Sequence, residues 1–164
     1  MFGHLRDPDL PALEALGQTD LARITGAAQA RLLRARYRPG ARAVLHVALG
    51  DDQDAGEGAI WFYAGDKTRK LARRTPNARL DAGTGALFQA FPQDHQMPHL
   101  ATFVADAMSM AQGLIGGAAA RPPVLMRYRP GLSATFRWTR EDGCVFFVKQ
   151  TPVNDIAAQA LAIS

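Results

Sequence analysis

The chain has 164 residues, 48% of them apolar and 21% charged, which excludes a disordered chain and allows one ordinary domain or two very small ones. Its single cysteine, Cys144, excludes an intramolecular disulfide and reads as a small buried hydrophobe in a strand. The net charge of +4 is clustered, at Arg31, Arg34, Arg36, Arg38 and Arg42 and again at Lys67, Arg69, Lys70, Arg73, Arg74 and Arg79; such clusters attract phosphates or stay as solvated basic faces.

The N-terminal residues Met1 to Asp7 lack the apolar core of a signal peptide. Residues 8 to 30 read as weakly helical, with Asp9 or Asp20 as candidate N-caps, Pro11 in a first turn and Leu10, Leu13 and Leu16 at helical spacing. From Leu32 to Leu49 a strand pattern flanks the turn signal Arg38-Pro39-Gly40, and Ala59 to Tyr63 is a short, largely buried aromatic strand. An acidic loop between them (Asp51, Asp52, Asp54, Glu57) argues against one continuous nucleic-acid groove. Glycines, prolines and polar residues make most of 65 to 96 a loop.

A helix follows, with Leu100, Phe103, Val104, Ala107, Ala111, Leu114 and Ile115 on one face, Pro98 in its first turn and Gly116-Gly117 at its end. The longest mostly apolar stretch, Phe103 to Ala120, holds Asp106, Ser109 and Gln112, so a cytoplasmic protein with no membrane span is expected. Strands then span Val124 to Arg129, Ser133 to Arg140 and Cys144 to Lys149, with turns at Pro130-Gly131 and Glu141-Asp142-Gly143. Asp155 to Ser164 reads as the opening of a helix, and a chain that stops there looks incomplete at its C-terminus.

The two strand blocks repeat. Arg36-Tyr37-Arg38-Pro39-Gly40 recurs as Arg127-Tyr128-Arg129-Pro130-Gly131, with Ala43 matching Ala134. Gly58 to Tyr63 matches Gly143 to Val148 in character, which sets Lys149 against Ala64. Proline fixes φ and glycine permits the tight reversal, so each copy is a hairpin that needs a third strand to be stable. The expected fold is α+β: two short antiparallel sheets, each a duplicated hairpin plus a third strand, with a connecting helix. The expected units are residues 1–97 and 98–164.

The second copy differs from the first where chemistry would sit. Lys149 ends its third strand, and Ser133 and Thr135 stand in place of Arg42 and Val44. A tight turn with free backbone N–H groups, nearby hydroxyls and a lysine makes a phosphate cradle; a lysine at a strand end also serves as a solvated or edge-protecting residue. The run Leu125 to Gly131, Thr135-Phe136-Arg137 and Phe146-Phe147-Val148-Lys149 resembles the small, nucleotide-binding lobe of aminoglycoside-phosphotransferase-like kinases, over about residues 122–164. The first copy, the Phe91-Pro92-Gln93-Asp94 segment and the following helix resemble an extension that some bacterial members place before that lobe.

The resemblance implies that Lys149 contacts the α- and β-phosphates of ATP and that Gly131, Ser133 and Thr135 line the phosphate turn. It also implies magnesium with the nucleotide and a small-molecule hydroxyl as acceptor in the complete protein. The family's lysine pairs with a glutamate on the next helix; residues 150–164 offer only Asp155. No His-x-Asp-x-x-x-x-Asn catalytic segment occurs in the 164 residues, so no catalytic residue is assigned. His95 and His99 lack a third ligand and read as loop residues. The alternative is a non-catalytic module that presents basic, aromatic-rich sheets to a protein or nucleic acid.

Overall fold

The computed structural model describes residues 6–50, 56–152 and 161–163. It is α+β, with two antiparallel sheets in two compact units, Met1–Gln93 and Asp94–Ser164. The boundary falls just before Asp94, not after residue 97, because the Asp94 carboxylate is bound to Tyr128 and Gly131 of the second unit.

In the first unit a 3₁₀ turn at Pro11–Leu13 precedes helix α1 (Gln18–Thr25). The N-cap of α1 is Gly17 rather than Asp9 or Asp20; Asp20 lies inside the first turn, where its carboxylate accepts the Gly17 N–H at 2.9 Å. Strands β1 (Ala30–Arg38), β2 (Arg42–Leu49) and β3 (Gly56–Tyr63) form the expected meander. Residues 65–96 are more ordered than their glycines and prolines suggest. They hold helix α2 (Lys67–Ala72) and strands β4 (Arg79–Asp81) and β5 (Ala86–Ala90), giving the sheet order β1-β2-β3-β5-β4. The short run Ala86-Leu87-Phe88 is buried on both faces, and such a strand shows no alternation to read in the sequence.

Both faces of this sheet are indeed covered. Ala43, Leu45, Val47, Ile60, Phe62 and Phe88 pack against Leu10, Leu13, Leu16, Leu21 and Ile24 on one side. On the other side Val44, Ala59, Trp61, Tyr63 and Leu87 pack against Leu71 and Ala72 of α2. The two outer-face rings of β3, Trp61 and Tyr63, stack at 6.2 Å, and Lys67 lies 4.6 Å over the Tyr63 ring.

In the second unit the expected single helix is two: α3 (Leu100–Ala105) and α4 (Ala107–Ile115), broken at Asp106, with Gly116 in the left-handed region (φ 68°) closing α4. Strands β6 (Val124–Arg129), β7 (Ser133–Thr139) and β8 (Val145–Gln150) form a meander, and the short strand β9 (Leu161–Ile163) pairs with β8. The helix expected over 155–164 lies partly outside the described residues, and its last residues are this strand. Phe103 contacts Phe136 at 5.1 Å and Trp138 at 6.0 Å, fixing the helices on one face of the sheet. Cys144 is exposed rather than buried, because it ends the Glu141-Asp142-Gly143 turn instead of entering β8.

Candidate functional site

Each Pro-Gly turn is held by an aspartate from far upstream. In the first unit Asp7 Oδ2 accepts from the Tyr37 hydroxyl at 2.7 Å and from the Gly40 N–H at 2.9 Å, while its Oδ1 accepts from the Asp9 N–H at 3.0 Å. In the second, Asp94 Oδ2 accepts from the Tyr128 hydroxyl at 2.9 Å and the Gly131 N–H at 2.6 Å, and its Oδ1 from the Gln96 N–H at 2.8 Å. Gly40 and Gly131 have φ of 63° and 65°, the left-handed region that glycine enters without strain.

The upstream segments are themselves a repeat. Asp7-Pro8-Asp9-Leu10-Pro11-Ala12-Leu13 and Asp94-His95-Gln96-Met97-Pro98-His99-Leu100 share Asp, Pro and Leu at the same spacing, with Leu10 matching Met97. Their backbones bond alike: Leu10 N to Asp7 O at 3.0 Å and Met97 N to Asp94 O at 2.9 Å. The repeated unit is therefore longer than the hairpin, and this second half is legible in the sequence once the aspartate is known to be a partner.

The two carboxylates differ electrically. The Gly40 N–H, followed by the Tyr37 hydroxyl, holds Asp7 below the ordinary aspartate range. Burial is the larger influence at Asp94 and pushes it above that range, although the Gly131 and Gln96 N–H groups oppose the shift.

Register corrects the matching of the third strands. Ala43 faces Phe62 and Val44 faces Trp61, whereas Ala134 faces Gln150 and Thr135 faces Lys149. The counterpart of Lys149 is therefore Trp61, not Ala64. Matching by glycine and aromatic character slid the strand by three residues, because the connections before β3 and β8 differ in length.

The residues expected to hold phosphate are only partly brought together. Lys149 is exposed and stands in one row with Thr135 and Arg127 across β8, β7 and β6. Alternation places Arg129, Ser133 and Arg137 on the same sheet face, opposite Ala134, Phe136 and Trp138 of the core. Arg127, Arg129, Arg137 and Lys149 have no acidic partner among the described residues. Sequence reasoning selected Lys149 and missed the three arginines, although their alternation with apolar residues is visible.

Gly131 behaves differently from expectation. Its N–H is not free for a ligand because Asp94 takes it, and the Leu132 N–H bonds Arg129 O at 2.9 Å. Ser133 is buried at 6% exposure, while Thr135 is half-buried. Among the described residues no group of three His, Cys, Asp or Glu side chains could hold a metal, and no helix is long and apolar enough to cross a membrane. No family model, curated protein or solved structure matches this chain.

Proposed function

We propose that the sheet of residues 94–164 binds the phosphates of a nucleotide, as the small lobe of a kinase-like phosphotransferase acting on a small-molecule hydroxyl. The supporting observation is the row Arg127–Thr135–Lys149, flanked by Arg129 and Arg137, on a face with no acidic partner among the described residues. A row of one arginine, a hydroxyl and a lysine, with two further arginines beside it, can neutralise and orient a triphosphate, since guanidinium groups bind phosphate oxygens in pairs and the lysine adds a mobile point charge. Because Asp94 occupies the turn, the phosphates are held by side chains of the sheet rather than by the turn backbone. Magnesium arrives with the nucleotide, bound to its phosphates. This sheet orients ATP and transfers nothing by itself.

A titration of the chain with Mg·ATP, followed by backbone amide NMR, tests this reading. The expected result is saturable shifts at Thr135, Phe136 and Lys149 that vanish in Lys149→Ala. Saturation that leaves those amides unmoved, or binding unchanged in Lys149→Ala, overturns it.

A further inference from the structure

The outer face of the first hairpin carries a charge arrangement that its own fold does not explain. Arg38 lies directly opposite Arg42 across the β1–β2 pair, with Arg36 opposite Val44 and Arg34 opposite His46. Like charges directly opposed on a sheet destabilise it, yet neither Arg38 nor Arg42 has an acidic partner among the described residues. The acidic group in register with this face, Glu57, is bound to His46 at 2.9 Å.

Arg34, Arg36 and Arg38 point the same way from alternate positions of β1, which is an edge strand. Alternate residues on a strand are about 6.8 Å apart, so the row extends about 14 Å and does not converge on one point. One phosphate cannot meet three arginines spread over that length; a chain of regularly spaced anions can. The rings of this face, Trp61 and Tyr63, are buried beneath α2 and cannot stack on a ligand. What the face offers is charge at even spacing.

We infer that the β1–β2 hairpin binds the phosphodiester backbone of a single-stranded nucleic acid through Arg34, Arg36, Arg38 and Arg42, without reading its sequence. The polymer's phosphates relieve the Arg38–Arg42 repulsion, which gives the opposed pair a purpose. This site is separate from the Lys149 sheet and stands or falls independently of the nucleotide reading.

Fluorescence anisotropy of a labelled oligothymidylate of about 20 nucleotides, measured against the full chain over a salt series, tests it. Each phosphate contact on a single strand contributes about 0.7 to the slope of log affinity against log salt, so Arg38→Gln/Arg42→Gln should flatten the slope by about 1.4. At about 0.1 M salt this is about a 25-fold loss of affinity. Arg34→Gln alone should flatten it by about 0.7. Thermal melting checks the fold, and the double variant should melt no lower than wild type because a repulsion is removed. An unchanged slope in the double variant, or no binding at low salt, overturns the site. Polyglutamate or phosphatidylserine vesicles competing as well as the oligonucleotide at equal charge overturn the assignment to a phosphodiester polymer.

Discussion

Two sheets in this chain share a turn, a tyrosine and an aspartate, yet use one position in opposite ways. Opposite Val44 in the first sheet stands Trp61, buried at 1% exposure beneath α2; opposite Thr135 in the second stands the exposed Lys149. Around Trp61 the face is apolar and covered by Leu71 and Ala72. Around Lys149 it carries Arg127, Arg129 and Arg137. The inner face and the turn supply the structure common to both units, and the outer face is where they diverge. In the first unit that face is divided: its β3 half is closed by a helix, and its β1 half is left to a row of arginines.

The largest test of this contrast is a pair of truncations. Trp61→Ala should cost about 3–5 kcal/mol, the loss of a buried ring from a covered face. Lys149→Ala should stay within about 0.5 kcal/mol, because an exposed strand lysine holds no packing. Calorimetric unfolding of both variants checks this, and equal losses would show that the two positions are not counterparts with different roles.

A smaller effect is expected at the aspartates. Asp94→Ala removes the acceptor for Tyr128, Gly131 and Gln96 and should cost about 1–3 kcal/mol in the second unit. Asp94→Asn should recover part of that loss, since burial already disfavours the charge there. Asp7→Asn should recover less of the corresponding Asp7→Ala loss, because its surroundings favour the carboxylate. Urea unfolding of the four variants gives the ranking, and equal recovery at both sites would remove the proposed difference.

The finest distinction is in pH dependence. Asp7 lies below the ordinary aspartate range, so its stabilisation is complete above that range and is lost as pH falls through the lower folded value. Asp20 and Asp81 of the same unit follow the same sign. Asp94 lies above the range, so its ionisation weakens the second unit; that unit gains stability from Asp94 as pH falls from the raised value to the ordinary range. Carboxyl carbon shifts in an NMR titration should show the Asp7 and Asp94 midpoints on opposite sides of the ordinary value. Midpoints on the same side would contradict the electrical contrast.

Much of the hairpin chemistry was legible because it is local. Arg-Tyr-Arg-Pro-Gly specifies a turn within five contiguous residues, and both copies fold as that signal requires. Of the expected helix stripe, Leu100, Phe103, Ala107, Ala111 and Ile115 are buried while Val104 and Leu114 are half-buried, and Asp106 splits the helix. The segment 65–96 was obscured by glycines and prolines, which mark the turns between its elements rather than an absence of elements. At the candidate site Lys149 could be selected from its place after Phe146-Phe147-Val148, but its partner in the first unit could not.

By itself the sequence determined the turns, the duplicated hairpin and the alternation that puts Arg127, Arg129 and Lys149 within reach of one face. Tertiary structure alone decided which aspartate closes each turn and which residue stands opposite Thr135. The aspartates lie 30 or more residues before their tyrosines, and the third-strand register follows from hydrogen bonding across connections of unequal length. Such non-local choices are made by the packed sheet as a whole, where a one-residue slip would turn every core side chain outward.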